Sequence, residues 1–196
     1  MLVMYIFGLY SRRNISWVIL CLLWGVLSYG AFMLLEPKLL EIELDIQAIS
    51  IAFTPLFQQG FVALGVFLVI YREKFDNLVD GAVYGMVSGL GYAAYENITN
   101  LLPFLEQNIE LIVVQAASVS LVYATASGII GIAVSQFYFR HRANRTTLLL
   151  SGLGGGIGYT ALYKGLAFYG IGGDFLSAAF GIGGITIVGL YITGLL

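Results

Sequence analysis

The side chain with most chemical potential in this sequence is a carboxylate, Glu96, set in Tyr95-Glu96-Asn97-Ile98 at the close of an apolar, glycine-rich stretch from Phe75 to Asn100. On an ideal helix, Gly81, Gly85, Ser88, Gly89, Tyr92 and Glu96 share one face. Glycines four residues apart on an apolar helix admit a neighbouring backbone, so this face is expected to pack on other helices. A carboxylate there is costly in hydrocarbon and is a candidate for binding, proton handling or metal ligation. The plainer alternative is a glutamate near a helix end that reaches interfacial water. A cation, Lys164, falls at the same depth when residues are counted along its own helix from Thr147 at about 1.5 Å each. The two could form a pair assisted by Tyr92, Tyr95 or Asn97, or Lys164 could reach outward toward Asp174. Metal chemistry is poorly supplied. Catalytic zinc takes about three imidazole, thiolate or carboxylate ligands and an open position for water. The single histidine, His141, stands in a basic loop, and the single cysteine, Cys21, lies in an apolar run where packing is its expected role.

These residues must be positioned by helices in lipid. Hydrophobic residues make up 59% of the 196 and charged residues only 10%, against about a quarter in soluble domains. The charges cluster between long apolar runs, which predicts an all-α membrane protein, a polytopic bundle of six transmembrane helices. Those helices are expected at about Ile15–Leu35, Ala48–Tyr71, Asn77–Leu102, Leu111–Phe137, Thr147–Tyr169 and Phe175–Leu195, with Asp76 or Asn77 capping the third and Pro103 ending it. Residues 1–14 form a short apolar N-terminal segment, read as the tail of a longer helix or an interfacial stretch; residues 15–196 are read as a single transmembrane domain. Arg12, Arg13, Arg72, Lys74, Arg140, Arg142 and Arg145 fall in alternate loops, which places those loops and the C-terminus in the cytoplasm of a multi-pass plasma-membrane protein. A net charge of −2 offers no basic surface to nucleic acid; the bilayer is the expected partner, and the oligomeric state is left open.

The stretch Phe75, Asp76, Val79, Asp80, Gly81, Tyr84, Gly85, Gly89-Leu90-Gly91-Tyr92-Ala93, Glu96-Asn97-Ile98 resembles the central motif of the PrsW family of intramembrane metalloproteases, relatives of the CAAX-processing proteases. That resemblance implies a Glu-Glu-x-x-Lys motif after a proline on the preceding helix. Here the segment reads Pro55-Leu56-Phe57-Gln58-Gln59-Gly60-Phe61-Val62, so glutamines stand for both glutamates and valine for lysine. It further implies a histidine where Tyr123 stands, and a His-x-x-Tyr-Asn pattern that appears as Thr160-Ala161-Leu162-Tyr163-Lys164. Glutamine is a neutral, weak ligand and cannot act as general base for a bound water. An interhelical hydrogen bond is the expected use of Gln58 and Gln59, contributing roughly 0.6 to 2 kcal/mol each.

The leading expectation is therefore a degenerate, metal-free member that binds transmembrane segments of single-span partners, the resemblance implying proteins such as anti-sigma factors. Degenerate catalytic positions are Gln58, Gln59, Glu96, Tyr123 and Thr160; binding falls to Glu96, Lys164, Asn97 and Tyr92; no metal ligands and no cofactor are expected. One alternative is an active, zinc-dependent intramembrane protease. Another is a small transporter or proton pathway built on Glu96 and Lys164, although no internal repeat supports it.

Overall fold

The computed structural model describes residues 15–40, 51, 53–72, 78–101, 109–139, 145–168, 179–184 and 186–189. Among them the chain is helical and contains no strand. Five long helices follow in order: α1 Ile15–Leu40, α2 Thr54–Arg72, α3 Leu78–Leu101, α4 Ile109–Phe139 and α5 Arg145–Phe168. A shorter apolar helical stretch falls within Ala179–Gly189, in the region of the expected sixth helix. The segment 1–14, the loop cations other than Arg72 and Arg145, His141, Asp174 and the C-terminus lie outside the described residues.

Helix bounds shift modestly from the sequence reading. α1 runs five residues past Leu35 and contains Pro37, which forfeits one backbone hydrogen bond without stopping the turn that follows. α4 begins and ends two residues beyond the expected limits, and α5 starts at Arg145 rather than Thr147, within the usual fraying of helix ends. By length and composition α1, α2 and α4 are long and apolar enough to cross a bilayer. At 24 residues each, α3 and α5 are long enough too, but α3 carries Asp80, Glu96 and four glycines, and α5 carries Lys164 and the run Gly154-Gly155-Gly156.

α4 is the central post, packed on α2, α3 and α5, while α3 also lies against α1. Of three apolar clusters among the described residues, the two larger ones join α1 to α4. One joins Cys21 of α1 to Ala63, Val66, Val69 and Ile70 of α2, Tyr84 of α3, and Ile130 and Val134 of α4. The other gathers Tyr29, Phe32, Val62, Tyr92, Ala93 and Tyr123 from α1 to α4. Close approach follows the glycines. A Cβ on Gly81 would collide with the Ser135 side chain and the Gly131 carbonyl of α4, one on Gly85 with the Ser127 carbonyl, and one on Gly89 with the Tyr123 carbonyl. A Cβ on Gly91 would strike the Leu22 carbonyl of α1. The face predicted for α3 is real, yet two neighbours share it: the glycines meet α4, while the backbone at Ser88 and Tyr92 lies against Gly25 of α1.

Candidate functional site

Two turns beyond the last glycine contact, side chains replace backbone at the α3–α4 interface and a polar site begins. α2 contributes Gln58 and Gln59, each only 1% exposed. Neighbours on a helix point about 100° apart, so the two amides serve different partners. Tyr123 of α4 donates its hydroxyl to Gln58 Oε1 at 3.3 Å. Gln59 is bound on both sides: its Nε2 donates to Thr160 Oγ1 of α5 at 3.0 Å, and its Oε1 accepts from Ser127 Oγ of α4 at 3.1 Å. Thr160 passes its own proton to the Gly156 carbonyl one turn back at 3.0 Å. Through one glutamine, three helices are tied by neutral hydrogen bonds. Each such bond in a low-dielectric interior is satisfied only by its partner, since water does not reach it.

Glu96 and Lys164, expected at equal depth, are brought together. Nζ stands 3.9 Å from Oε1, with the side chains 18% and 14% exposed for lysine and glutamate. At that distance they attract as an ion pair but share no direct hydrogen bond. Tyr123 touches this end as well, interacting with both Glu96 and Gln58. Tyr92, 1% exposed, packs its ring 5.2 Å from that of Tyr123 and edge-on to Tyr29 at 5.1 Å. Three buried polar atoms in this neighbourhood have no hydrogen-bond partner: Gln58 Nε2, Tyr92 OH and Glu96 Oε2. Tyr92 sits within electrostatic reach of Gln58 and Glu96 but outside bonding geometry. Asn97 does not assist the pair. Its Nδ2 donates instead to the Ala116 carbonyl and to Ser120 Oγ of α4, both at 3.1 Å.

Beside the pair a cavity of about 290 Å³ opens between α3, α4 and α5, with Glu96, Asn97, Asn100, Gln115, Tyr123 and Lys164 on its wall. Of the residues singled out in the sequence, Gln58, Tyr123, Glu96, Lys164 and Tyr92 therefore form one neighbourhood, and Gln59 with Thr160 forms a second knot one residue along α2. Ser127, Asn100 and Gln115 were not foreseen. Ser127 follows Tyr123 by four residues and so shares its face, a periodicity that identifies it once Tyr123 is known to matter.

Zinc can be tested against this donor set. The described residues bring no group of three or more histidines, cysteines, aspartates or glutamates together. Around Gln58 and Gln59 the donors are amides, hydroxyls and phenols, and the one carboxylate faces an ammonium. Cys21 is buried in the other cluster, between α1 and α2. Such a set does not fit zinc, which takes anionic or imidazole ligands. Thr160 and Ser127 bond to a neutral amide, which does not activate a hydroxyl as a base would. The arrangement can bind, through charge and hydrogen bonds.

The sequence model described as PrsW family intramembrane metalloprotease matches residues 13–193, nearly the whole chain. No curated protein and no solved structure matches it.

Proposed function

Because the chain belongs to the PrsW family of intramembrane metalloproteases, we propose that it is a membrane protein that keeps the protease scaffold, lacks the metal and binds transmembrane segments of single-span proteins without cutting them. The observation that carries this reading is the double tie of Gln59 to Thr160 and Ser127, with Gln58 bonded to Tyr123. A hydrogen-bonded amide presents its oxygen to a donor and has no proton affinity to spare, so it neither holds a Lewis-acidic ion nor deprotonates water. Lys164, 3.9 Å from Glu96, supplies the positive charge that offsets the one strong acid in the site. A partner helix would lie against the open side of α5, where Gly154 and Gly158 have no neighbour within contact distance. In this reading the chain is a multi-pass protein of the plasma membrane with six spans. Its arginine-rich loops and C-terminus face the cytoplasm, and its partners are single-span proteins of the kind the family acts on.

Family membership itself favours a second reading, a working protease, since the match spans residues 13–193 and so all five long helices. Metal content separates the two. Protein purified in mild detergent should carry far less than one zinc per chain by elemental analysis, and should leave a model single-span substrate intact. Close to one zinc per chain that survives mild chelation, together with cleavage, establishes the protease and ends the first reading.

A further inference from the structure

The cavity beside Glu96 and Lys164 has features that partner binding does not use. Opposite charges lie side by side on its wall, yet 3.9 Å separates them, well beyond the roughly 2.8 Å of a charge-assisted hydrogen bond. Glu96 Oε2 has no partner, and Lys164 donates no hydrogen bond to a described residue. An ammonium carries three donors and a carboxylate accepts at both oxygens, so the pair retains unused bonding capacity on both members. Inserting a ligand between or beside them satisfies both.

The charge balance selects the ligand. A simple cation attracted by Glu96 would meet Lys164 about 4 Å away, and a simple anion drawn to Lys164 would meet Glu96; like charges that close are strongly unfavourable in a sheltered site. A molecule bearing both charges a few bonds apart meets an opposite charge at each end. Depth narrows the source. Glu96 is five residues from the end of α3 and Lys164 four from the end of α5, which puts the pair about 6–8 Å inside the helix ends, close to the level of lipid headgroups. The cavity, at about 290 Å³, accommodates a headgroup rather than a water molecule alone, and it adds Asn100 and Gln115 as further polar groups beside the apolar Val119 and Phe168. A primary ammonium suits Glu96 better than a quaternary one, because it adds N–H donation to the unpartnered Oε2 on top of the charge attraction that both share. Two of the aromatics on this wall are engaged elsewhere rather than arranged as a cage: Tyr123 packs on Tyr92, and Tyr163 leans toward Phe180.

The geometry points to a binding site for a phosphoethanolamine-type zwitterion, its primary ammonium on Glu96 and its phosphate on Lys164. This stands on the cavity and the pair, and holds whether or not the chain binds or cuts partner segments.

The test uses the full chain in nanodiscs of equal phosphatidylethanolamine and phosphatidylcholine, with co-purifying lipid read by native mass spectrometry after gentle delipidation. Phosphatidylethanolamine should be retained several-fold over phosphatidylcholine. Glu96→Gln and Lys164→Met should each reduce the ratio toward parity, whereas Lys38→Gln, near the exposed end of α1, should leave it unchanged. Should either single variant fail to fold, the combined Glu96→Gln/Lys164→Met chain removes both charges together and should also lose the preference. Free phosphoethanolamine added to the loaded protein then distinguishes the sources: displacement of the retained lipid shows that the headgroup alone carries recognition, and retention assigns the site to the whole lipid. Equal retention of the two lipids by the unaltered chain overturns the inference. So does a preference that persists in the combined variant, or displacement of the lipid by a single-span helix with no headgroup effect. Zinc content and cleavage play no part in this readout, so its failure leaves the reading above untouched.

Discussion

Helices α3 and α4 run beside each other for most of their length, and the two halves of that contact are built on opposite principles. At Gly81, Gly85 and Gly89, α3 presents no side chain, and its backbone lies on the carbonyls of Gly131, Ser127 and Tyr123. From Glu96 onward, α3 presents long polar side chains, and the helices are bridged by Asn97 to Ala116 and Ser120 with a cavity of about 290 Å³ alongside. The first half is held by many weak dispersion contacts that need no particular chemistry, only the absence of a Cβ. The second half is held by a few directional bonds whose partners could each be removed singly. Close packing excludes ligands; polar bridging makes room for them. A helix pair that changes from one to the other within two turns has a rigid end and a receptive end.

The largest expected effect comes from filling the rigid end. Gly85→Ala places a methyl against the Ser127 backbone carbonyl, where no side chain can move aside, and should cost about 2–3 kcal/mol. The same change at Gly154, which meets nothing within contact distance, should be near neutral or slightly stabilising, because alanine favours the helix. Unfolding in mixed detergent, followed by circular dichroism, measures both. Equal effects at the two positions would show that the glycine contact is not what joins α3 to α4.

At the receptive end a charge deletion comes next. Lys164→Met leaves Glu96 without its counter-charge and should cost about 2 kcal/mol, less than for a fully buried pair because both side chains keep some exposure. Adding Glu96→Gln should recover at least half of that loss, and simple additivity in the cycle would mean that the two charges act independently.

The smallest change is Gln59→Leu. It removes two neutral bonds that tie α4 and α5 to α2, and should cost about 1 kcal/mol, with Thr160 and Ser127 left unpaired on one side. A loss as large as that of Gly85→Ala would place the rigidity of the molecule at the polar knot instead.

How much of this was readable beforehand differs residue by residue. Glycine spacing in α3 announced a contact face, because the period of a helix is fixed by its geometry; it could not say that Gly85 meets α4 while Gly91 meets α1, since a face does not name its neighbours. Counting residues placed Glu96 and Lys164 at one depth, and the structure sets them 3.9 Å apart. Depth is a property of each helix alone, whereas azimuth depends on how the others pack. For the same reason Asn97 was expected beside the pair and instead binds α4, one position around the helix. Gln58 with Tyr123, and Gln59 with Thr160, were legible only through the family resemblance, as positions aligned with a lost metal set; hydropathy and period give no reason to connect residues 65 and 101 positions apart. Hydrophobic pattern also does not separate a span from a helix sheltered by others: six were expected, and among the described residues α1, α2 and α4 have the length and apolarity to cross a membrane unaided.

That last distinction reaches into the order in which the protein is made. An insertion apparatus that weighs each emerging segment by its own transfer free energy, where a single central charge counts about 2.5–3.5 kcal/mol against entry, would release α1, α2 and α4 into lipid readily. α3 and α5, the carriers of Glu96 and Lys164, have less apolar surface to offer and more to shelter. Their stable place exists only once α4 is present to receive the glycines of α3 and the knot of Thr160. α3 is synthesised before α4, so between the two events it must wait against α1, to whose Leu22 and Gly25 it is already fitted. The contact between α1 and α3 thus acts in time as well as in space, holding a helix of low apolarity in the membrane until its main partner arrives.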